Sequence, residues 1–352
     1  MRALVYADLQ ATEGSIDERL RANPAIPLQR WRVERFYADL ATLYRQHDCR
    51  YLIDLGDTTD DRKALPVPTI QAVMSGLSAI NPDPSLSIKL IGNHEQAYRD
   101  STQHPGLMYG QFHHVVADRE VIYAGNTAIV CMAWQENEEE ASAWLQSTLN
   151  RISLELGEIA TADRPDLNIL VLGHLHMRAS WVNGVQLKGG LIITCMDSAD
   201  LVLLGHVHQP QVVDSGVYYV GSPFQQDFGE VGQTKRVGLL DLNTLDLQWL
   251  PLPSPFPRYL RLTVDELECL DSLGEDRAQV VLRTADEARR FHACPLAPLV
   301  EPDYQLAPIE SEKGAQISDM PRVDWVEEWV DKKPLAGFTR DELLEAGRKL
   351  TR

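Results

Sequence analysis

LVLLGHVHQP, residues 201–210, is the stretch from which the rest of the chain can be read. Its first half is apolar and partly β-branched, which suits a strand buried on both faces. It stops abruptly at Gly205, a residue that permits a sharp turn where the strand ends. If the segment beyond stays extended, His206 and His208 share a side and both reach the space above the strand end. Two neutral imidazoles converging there suit a transition-metal centre. One GHxH is modest evidence. Its weight comes from repetition, because a strand followed at once by a polar ligand recurs four more times.

Residues 2–7 form a short apolar run that delivers Asp8, with Gln10 two positions on. Residues 50–55 end in Gly56 and Asp57, followed by Thr58, Thr59, Asp60 and Asp61. Residues 87–91 end in Gly92, Asn93, His94 and Glu95. Residues 168–172 end in Gly173, His174, Leu175 and His176. NILVLGHLH (168–176) and DLVLLGHVH (200–208) resemble each other at a separation of 32 residues, but the sequence between them is unlike either. Two such copies do not make a solenoid, and they read as neighbouring strands that carry ligands to one place. Helical periodicity appears over residues 28–47, with a stripe of Trp31, Phe36, Leu40, Leu43 and Tyr44, over 69–80, and over an acidic stretch at 136–158. Residues 11–27 and 96–111 read as loops, the second lying over the site. Further strands are expected near 121–123, 127–132 and 217–220, with a closing hairpin at 236–241 and 245–250. Strands alternating with helices define an α/β fold, and open α/β sheets place their ligands at the strand ends.

The composition narrows the function. The chain has 352 residues, 44% hydrophobic and 24% charged, as ordinary globular proteins are. No apolar segment approaches the roughly 20 residues of a membrane span, and the N-terminus lacks a signal-peptide pattern. Five cysteines are scattered, odd in number and never in CxxC spacing. That argues against a disulfide framework or a cysteine zinc site, and fits a reducing, cytoplasmic setting. The 33 basic residues face 51 acidic ones, for a net charge of −18. Such a surface repels a polyanion at long range, so contact with DNA calls for a local basic strip, a metal-lined cleft or a partner.

Beyond Pro251 the texture changes. PLPSPFPRY is a proline-rich junction, so the expected domains are residues 1–252, then a small α/β unit over 253–300. A linker over 301–321 and helices over 322–352 follow. Trp325 and Trp329 lie one helical turn apart, and a capping box from Thr339 to Glu342 opens a last helix through Leu343, Leu344 and Leu350.

The ligand-type residues are Asp8, Asp57, Asn93, His174, His206 and His208, with His94 beside them. Mixed carboxylate, amide and imidazole donors favour Mn²⁺, Fe²⁺ or Zn²⁺ over Ca²⁺ or an all-oxygen Mg²⁺ site. Asp57 is the best candidate to bridge two cations, which would activate water for in-line attack on phosphorus. His94 would protonate the leaving oxygen or stabilise the transition state. A lone histidine is more often structural, and His47, His104, His113, His114 and His292 are read that way. Asp60 and Asp61 are read as turn or supporting hydrogen-bonding residues rather than ligands, and His176 as either solvent-facing or such a support.

The motifs D-x-Q, GDxxD, GNHE, GH and GHxH, carried by Asp8 and Gln10, residues 56–60, residues 92–95, Gly173-His174 and residues 205–208, resemble those of calcineurin-like metallophosphoesterases. GHVHQP followed by YYVGSPFQQDFGE resembles the SbcD-type DNA repair nucleases within them. The likeness covers about residues 1–250. It implies a four-layer αββα sandwich with a capping domain and two divalent cations, Mn²⁺ foremost and Mg²⁺, Fe²⁺ or Zn²⁺ as alternatives. One cation would take Asp8, Asp57 and His208, the other Asp57, Asn93, His174 and His206, with His94 catalytic. It further implies a homodimer with exonuclease activity on duplex ends and endonuclease activity on single strands. Its partner would be a coiled-coil ABC-type (SbcC-type) ATPase docked on the C-terminal helices, the alternative for those helices being packing against their own domain.

One position departs from that pattern, since Gln10 stands where the family usually has histidine. As a candidate metal residue, Gln10 would coordinate through its carbonyl oxygen or hold a ligand water, in either case more weakly than imidazole. Two other functions compete: a phosphodiesterase or phosphatase of the same fold acting on small molecules, and a non-catalytic scaffold for DNA ends or the ATPase.

Overall fold

A computed structural model describes residues 1–13, 28–60, 62, 64–98, 103–159, 167–182 and 184–305. Residues Met1–Gln305 form one compact unit, and Leu306–Arg352 a second that lies outside the described residues. The expected C-terminal helices over 322–352, with Trp325, Trp329 and Thr339, fall there, as does most of the expected linker; most of the loop expected over 11–27 is likewise outside them.

The chain runs through β1 (Arg2–Tyr6), α1 (Leu28–Gln46), β2 (Tyr51–Asp54), α2 (Val67–Ile80), β3 (Ile88–Leu90) and β4 (His114–Val116). Next come β5 (Arg119–Ala124), β6 (Thr127–Met132), α3 (Glu138–Ile159), β7 (Asn168–His174), and a small hairpin of β8 (Trp181–Val182) and β9 (Val185–Gln186). β10 (Leu201–Gly205), β11 (Gln211–Asp214), β12 (Val217–Tyr219), β13 (Val237–Asp241) and β14 (Leu247–Leu250) follow. β15 (Tyr259–Leu262), α4 (Val264–Glu268), β16 (Arg277–Leu282), α5 (Ala285–Ala293) and β17 (Val300–Tyr304) come last.

Two six-stranded sheets carry the fold, in the orders β14-β13-β1-β2-β3-β4 and β11-β12-β10-β7-β6-β5. β1 to β4 are mutually parallel, as are β6, β7, β10 and β12, while β13, β14, β5 and β11 add antiparallel edges. Because successive Cβ atoms point to opposite faces, one strand can supply two cores. On β1, Leu4 and Tyr6 pack with Val33, Phe36, Tyr37 and Leu40 of α1 and Ala72, Val73 and Leu77 of α2. Ala3 and Val5 pack instead with Ile53, Ile88 and Leu90 and with Ile129, Leu170, Leu172, Leu201 and Leu203 of the other sheet. On that sheet Val130, Val171, Val202 and Leu204 face Ala141, Leu145, Leu149 and Ile152 of α3. Burial on both faces is why these strands read as nearly continuous apolar runs. Each fully buried Leu, Ile or Val contributes about 2 kcal/mol of transfer free energy.

Asn81 ends α2 in the left-handed conformation, φ 50°, and its N–H bonds the Leu77 carbonyl. Several local expectations are corrected. Trp31 lies outside the α1 stripe, half-buried under the Arg35 guanidinium at 4.8 Å, and Val33 and Tyr37 take its place in the core. The segment expected as a loop over 96–111 holds a 3-10 turn at Pro105–Tyr109 whose Tyr109 is fully buried. The strands β4, β8, β9 and β11 are too short to give a periodic signal.

Residues 259–304 build a separate three-stranded parallel sheet, order β15-β16-β17, around Val264, Leu267, Val280, Leu282 and Phe291. Capping boxes at Thr263 with Glu266 and Thr284 with Glu287 start its two helices. The expected linker does not begin at 301, because β17 pairs with β16 from Ala278↔Val300 to Leu282↔Tyr304. β17 is an edge strand, where the missing N–H of Pro302 removes no ladder bond on its open side. The proline-rich junction is also well anchored: Ser254 donates to both Asp39 oxygens at 2.8 and 2.9 Å, and Phe256 stacks on Phe224 at 5.1 Å.

Candidate metal centre

Asp8, Asp57, Asn93, His174 and His206 all lie at the carboxyl ends of parallel strands, β1, β2 and β3 in one sheet and β7 and β10 in the other. Asp57, His174 and His206 each offer a donor atom within 4.8 Å of the other two, a group able to hold a metal ion. Asn93 Oδ1 lies between the imidazoles, 3.1 Å from His174 Nε2 and 2.9 Å from His206 Nδ1. His174 Nε2 is 3.2 Å from an Asp57 oxygen. The backbone N–H of His206 points at both Asp8 oxygens at 3.0 Å, and that of His94 donates to Asp57 Oδ1 at 2.8 Å. Gln10 Nε2 donates to Asp57 Oδ2 at 3.2 Å, which leaves Gln10 Oε1 buried and unpartnered among the described residues.

Four of the eight non-glycine residues with positive φ among the described residues are Asp8 (54°), Gln10 (53°), Asp57 (54°) and His206 (91°). Each costs about 1–2 kcal/mol relative to ordinary backbone, and such concentration marks a functional site. The loops after β1 and β2 hold one another there, with Asp8, Gln10 and Ala11 N–H groups bonding the Gly56, Asp57 and Thr58 carbonyls at 3.0, 2.9 and 2.8 Å. This corrects one expectation. The segment after Gly205 is not extended, because the left-handed turn falls on His206. Gly205 is required for close approach, since a Cβ there would sit 2.7 Å from the Leu55 carbonyl oxygen. Gly92 has the same role, its Cβ position lying 2.0 Å from Asp57 Oδ1.

His206 and His208 therefore take different partners. His208 Nδ1 is 3.0 Å from Glu230 Oε1, and Lys235 Nζ lies 2.6 Å from the other Glu230 oxygen. A histidine whose Nδ1 is held by a carboxylate or carbonyl keeps Nε2 free as a ligand atom. His174 is arranged likewise, with Nδ1 donating to the Leu55 carbonyl at 2.7 Å. His176 lies beside the centre, its ring 5.7 Å from that of His206 and its Nδ1 3.6 Å from Glu138. Trp134 covers the His206 ring at 4.7 Å. His94 Nδ1 meets Asp60 at 2.6 Å, on the rim.

The charges sort accordingly. Burial opposes protonation of His174, but Asp57 outweighs it and raises the imidazole to about 9, while Asp57 itself lies well below the carboxylate range. Burial and the His174 charge push His206 down to about 3. Burial lifts Asp8 to about 6. Asp60 raises His94 above the ordinary imidazole value.

Sequence reading missed a buried ionic cluster beneath these loops. Lys89 Nζ, fully buried on β3, sits 3.0 Å from Glu95, 3.2 Å from Asp54 and 2.7 Å from the Thr58 hydroxyl, with the Tyr109 ring at 4.9 Å. Glu95 Oε2 also accepts the N–H groups of Asp57 at 3.1 Å and Gly92 at 3.2 Å, tying together the loops that carry Asp57 and Asn93. Burial raises Glu95 to about 7, with Lys89 opposing. The available signal was a lysine and an aspartate inside otherwise apolar strands. Gln226 Nε2, on the Asp8 carbonyl at 2.7 Å, and Glu230 were missed as well, although both lie in the YYVGSPFQQDFGE stretch.

His114 pairs with Glu120 at 2.7 Å and His292 meets the Tyr304 hydroxyl at 3.1 Å, both at the surface. All five cysteines are free. No helix among the described residues is long and apolar enough to cross a membrane.

No protein-family model matches the chain. A stretch of 58 residues is 45% identical to the D component of the nuclease SbcCD of Rhodobacter capsulatus, covering 16% of this chain and 14% of that protein. The chain thus matches a small part of the length of this curated relative.

Proposed function

We propose that the chain is a metal-dependent phosphodiesterase acting on DNA, the nuclease component of an SbcCD-like assembly. The observation that carries this reading is the convergence of Asp57, His174 and His206 with Asn93 between the imidazoles. The local likeness to a component of the nuclease SbcCD supports it. The three successive cores support a four-layer αββα sandwich for residues 1–252, with 253–300 as a capping unit.

The donor set fits divalent cations. Hard carboxylate and amide oxygens are mixed with imidazoles whose outer nitrogens are already engaged, and Gln10 Oε1 is an unpartnered buried oxygen beside them. Asp8, Gln10, Asp57 and His208 would hold one cation, and Asp57, Asn93, His174 and His206 the other, with Mn²⁺ the preferred ion. When bound, such ions supply Lewis acidity and activate water at neutral pH. The protein's own part is positional. Glu230 and the Leu55 carbonyl fix the rings of His208 and His174, and Glu95 locks the Asp57 and Asn93 loops. Asp60 holds the His94 Nδ1 proton and favours the charged ring, so Nε2 is the atom from which a proton passes to the leaving oxygen. DNA, an SbcC-type coiled-coil ATPase and a second copy of the chain are the partners of this reading. The net charge of −18 fits delivery of DNA by a partner.

Linear duplex DNA incubated with the chain and Mn²⁺ tests this. Cutting is expected, and His94→Ala is expected to lower its rate by about 10²–10⁴-fold while bound manganese, measured by elemental analysis, is retained. Turnover confined to small phosphodiesters would favour the small-molecule enzyme, and failure to bind metal would favour the scaffold.

A further inference from the structure

The hairpin of β8 and β9 grows directly out of the metal centre. Its stems close where Leu191 N–H bonds the His176 carbonyl at 2.7 Å and Arg178 N–H bonds the Leu191 carbonyl at 2.9 Å. Its first strand is clamped a second time. The Gln211 side chain accepts the Trp181 N–H and donates to the Trp181 carbonyl, both at 2.8 Å. Gln211 lies three residues beyond His208, so the Trp181 backbone is tethered within about 13 Å of a ligand loop, taking roughly 3.4 Å per residue plus one hydrogen bond. Although its backbone is fixed on both sides, Trp181 leaves 47% of its surface exposed. Residues 177–191, MRASWVNGVQLKGGL, contain Arg178 and Lys188 and no acidic residue, in a chain carrying 51 of them. Glu138, the acid at the base of the hairpin, is engaged by Gly190 N–H at 2.9 Å and faces His176.

A half-exposed indole with a tethered backbone, on a hairpin whose only charged residues are the exposed Arg178 and Lys188, has the chemistry of a base-stacking platform for unpaired nucleic acid. Aromatic faces stack on any base, and cations alongside track the phosphates. The geometry points to Trp181 as a stacking site for a base of a single strand, with Arg178 and Lys188 on its backbone. The hairpin thereby holds the unpaired strand beside the metal centre. The exposed indole selects nucleic acid over an acidic protein surface, because a base stacks on it, while the acid-free basic stretch supplies the local strip that a polyanion needs on a chain of net charge −18. This inference rests on the nuclease reading and names how that site would favour unpaired ends.

The full chain, without metal and at low salt, is titrated into 5′-fluorescein oligo(dT) and followed by anisotropy. The same variants are assayed with Mn²⁺ on bis(p-nitrophenyl) phosphate. Trp181→Ala is expected to weaken oligonucleotide binding by roughly tenfold, the scale of one lost stack, and Trp181→Phe to restore most of it. Arg178→Ala with Lys188→Ala is expected to reduce the salt dependence by up to about two counterions. All are expected to hydrolyse the small diester at the wild-type rate. Unchanged affinity in Trp181→Ala, or no binding by the wild-type chain, overturns the inference, as does a Trp181→Ala effect on self-association in sedimentation alone. Absence of small-diester and DNA hydrolysis by the wild-type chain would instead remove the nuclease reading and leave the binding result to stand alone.

Discussion

Gln10 holds an amide in a place where an imidazole would serve a metal better. Its Nε2 donates to Asp57 and its Oε1 has no partner among the described residues, so the side chain is buried with a free oxygen at the centre's edge. Gln10→His is expected to tighten Mn²⁺ binding about tenfold, read by isothermal titration. An unchanged dissociation constant would show that position 10 does not ligate. In the proposed site Glu230 would act through His208, whose Nδ1 it meets at 3.0 Å. Glu230→Gln keeps an acceptor near Nδ1 but removes the charge that fixes the ring, and metal affinity is expected to fall about 10–100-fold. A loss of fold without selective loss of affinity would count against that role. The candidate ligands were legible because each stands directly behind an apolar run. The left-handed φ of His206 was not, since which residue turns depends on the Leu55 carbonyl packed against Gly205.

The element that matters most beyond the ligand loops is β3. Its centre carries Lys89, and a charge within a strand ordinarily signals a solvated face. Here the ammonium is enclosed by Asp54, Glu95 and Thr58, contributed by β2, the loop after β3 and the loop after β2. Lys89→Met leaves two carboxylates buried together and is expected to cost about 3–5 kcal/mol by urea denaturation. Adding Glu95→Gln should recover part of that loss, because fewer unpaired charges remain. If the single variant is as stable as wild type, the cluster is not an ion pair network. The same element shows why the cluster escaped sequence reading: its members are up to 41 residues apart, from Asp54 to Glu95, and meet only through parallel pairing of β2 with β3.

In the described residues the parallel strands of two sheets bring Asp57, His174 and His206 together at their carboxyl ends, with Asn93 between the two imidazoles. Acid sensitivity belongs to this scale. His113 is buried, neither ring nitrogen has a hydrogen-bond partner among the described residues, and burial pushes its pKa down to about 4. The folded state therefore refuses a proton that the unfolded chain takes near 6.5. Its contribution is intact above about pH 6.5 and declines as pH falls towards 4, by as much as roughly 3 kcal/mol. His113→Phe is expected to flatten that part of the stability curve, followed by urea midpoints between about pH 7 and 4. An unaltered acid limb would assign the loss to other groups.

By itself the sequence determined the order of the longer strands and helices, the apolar runs buried on both faces, and the identity of the polar residues behind them. Those follow from nearest-neighbour periodicity, which each segment expresses locally. Tertiary structure decided which imidazole nitrogen is free, which carboxylate orients each ring, that Lys89 is enclosed, and that Val300–Tyr304 is a strand rather than linker. Those outcomes depend on partners brought close only when the sheets pack, and no local pattern encodes a distance across them.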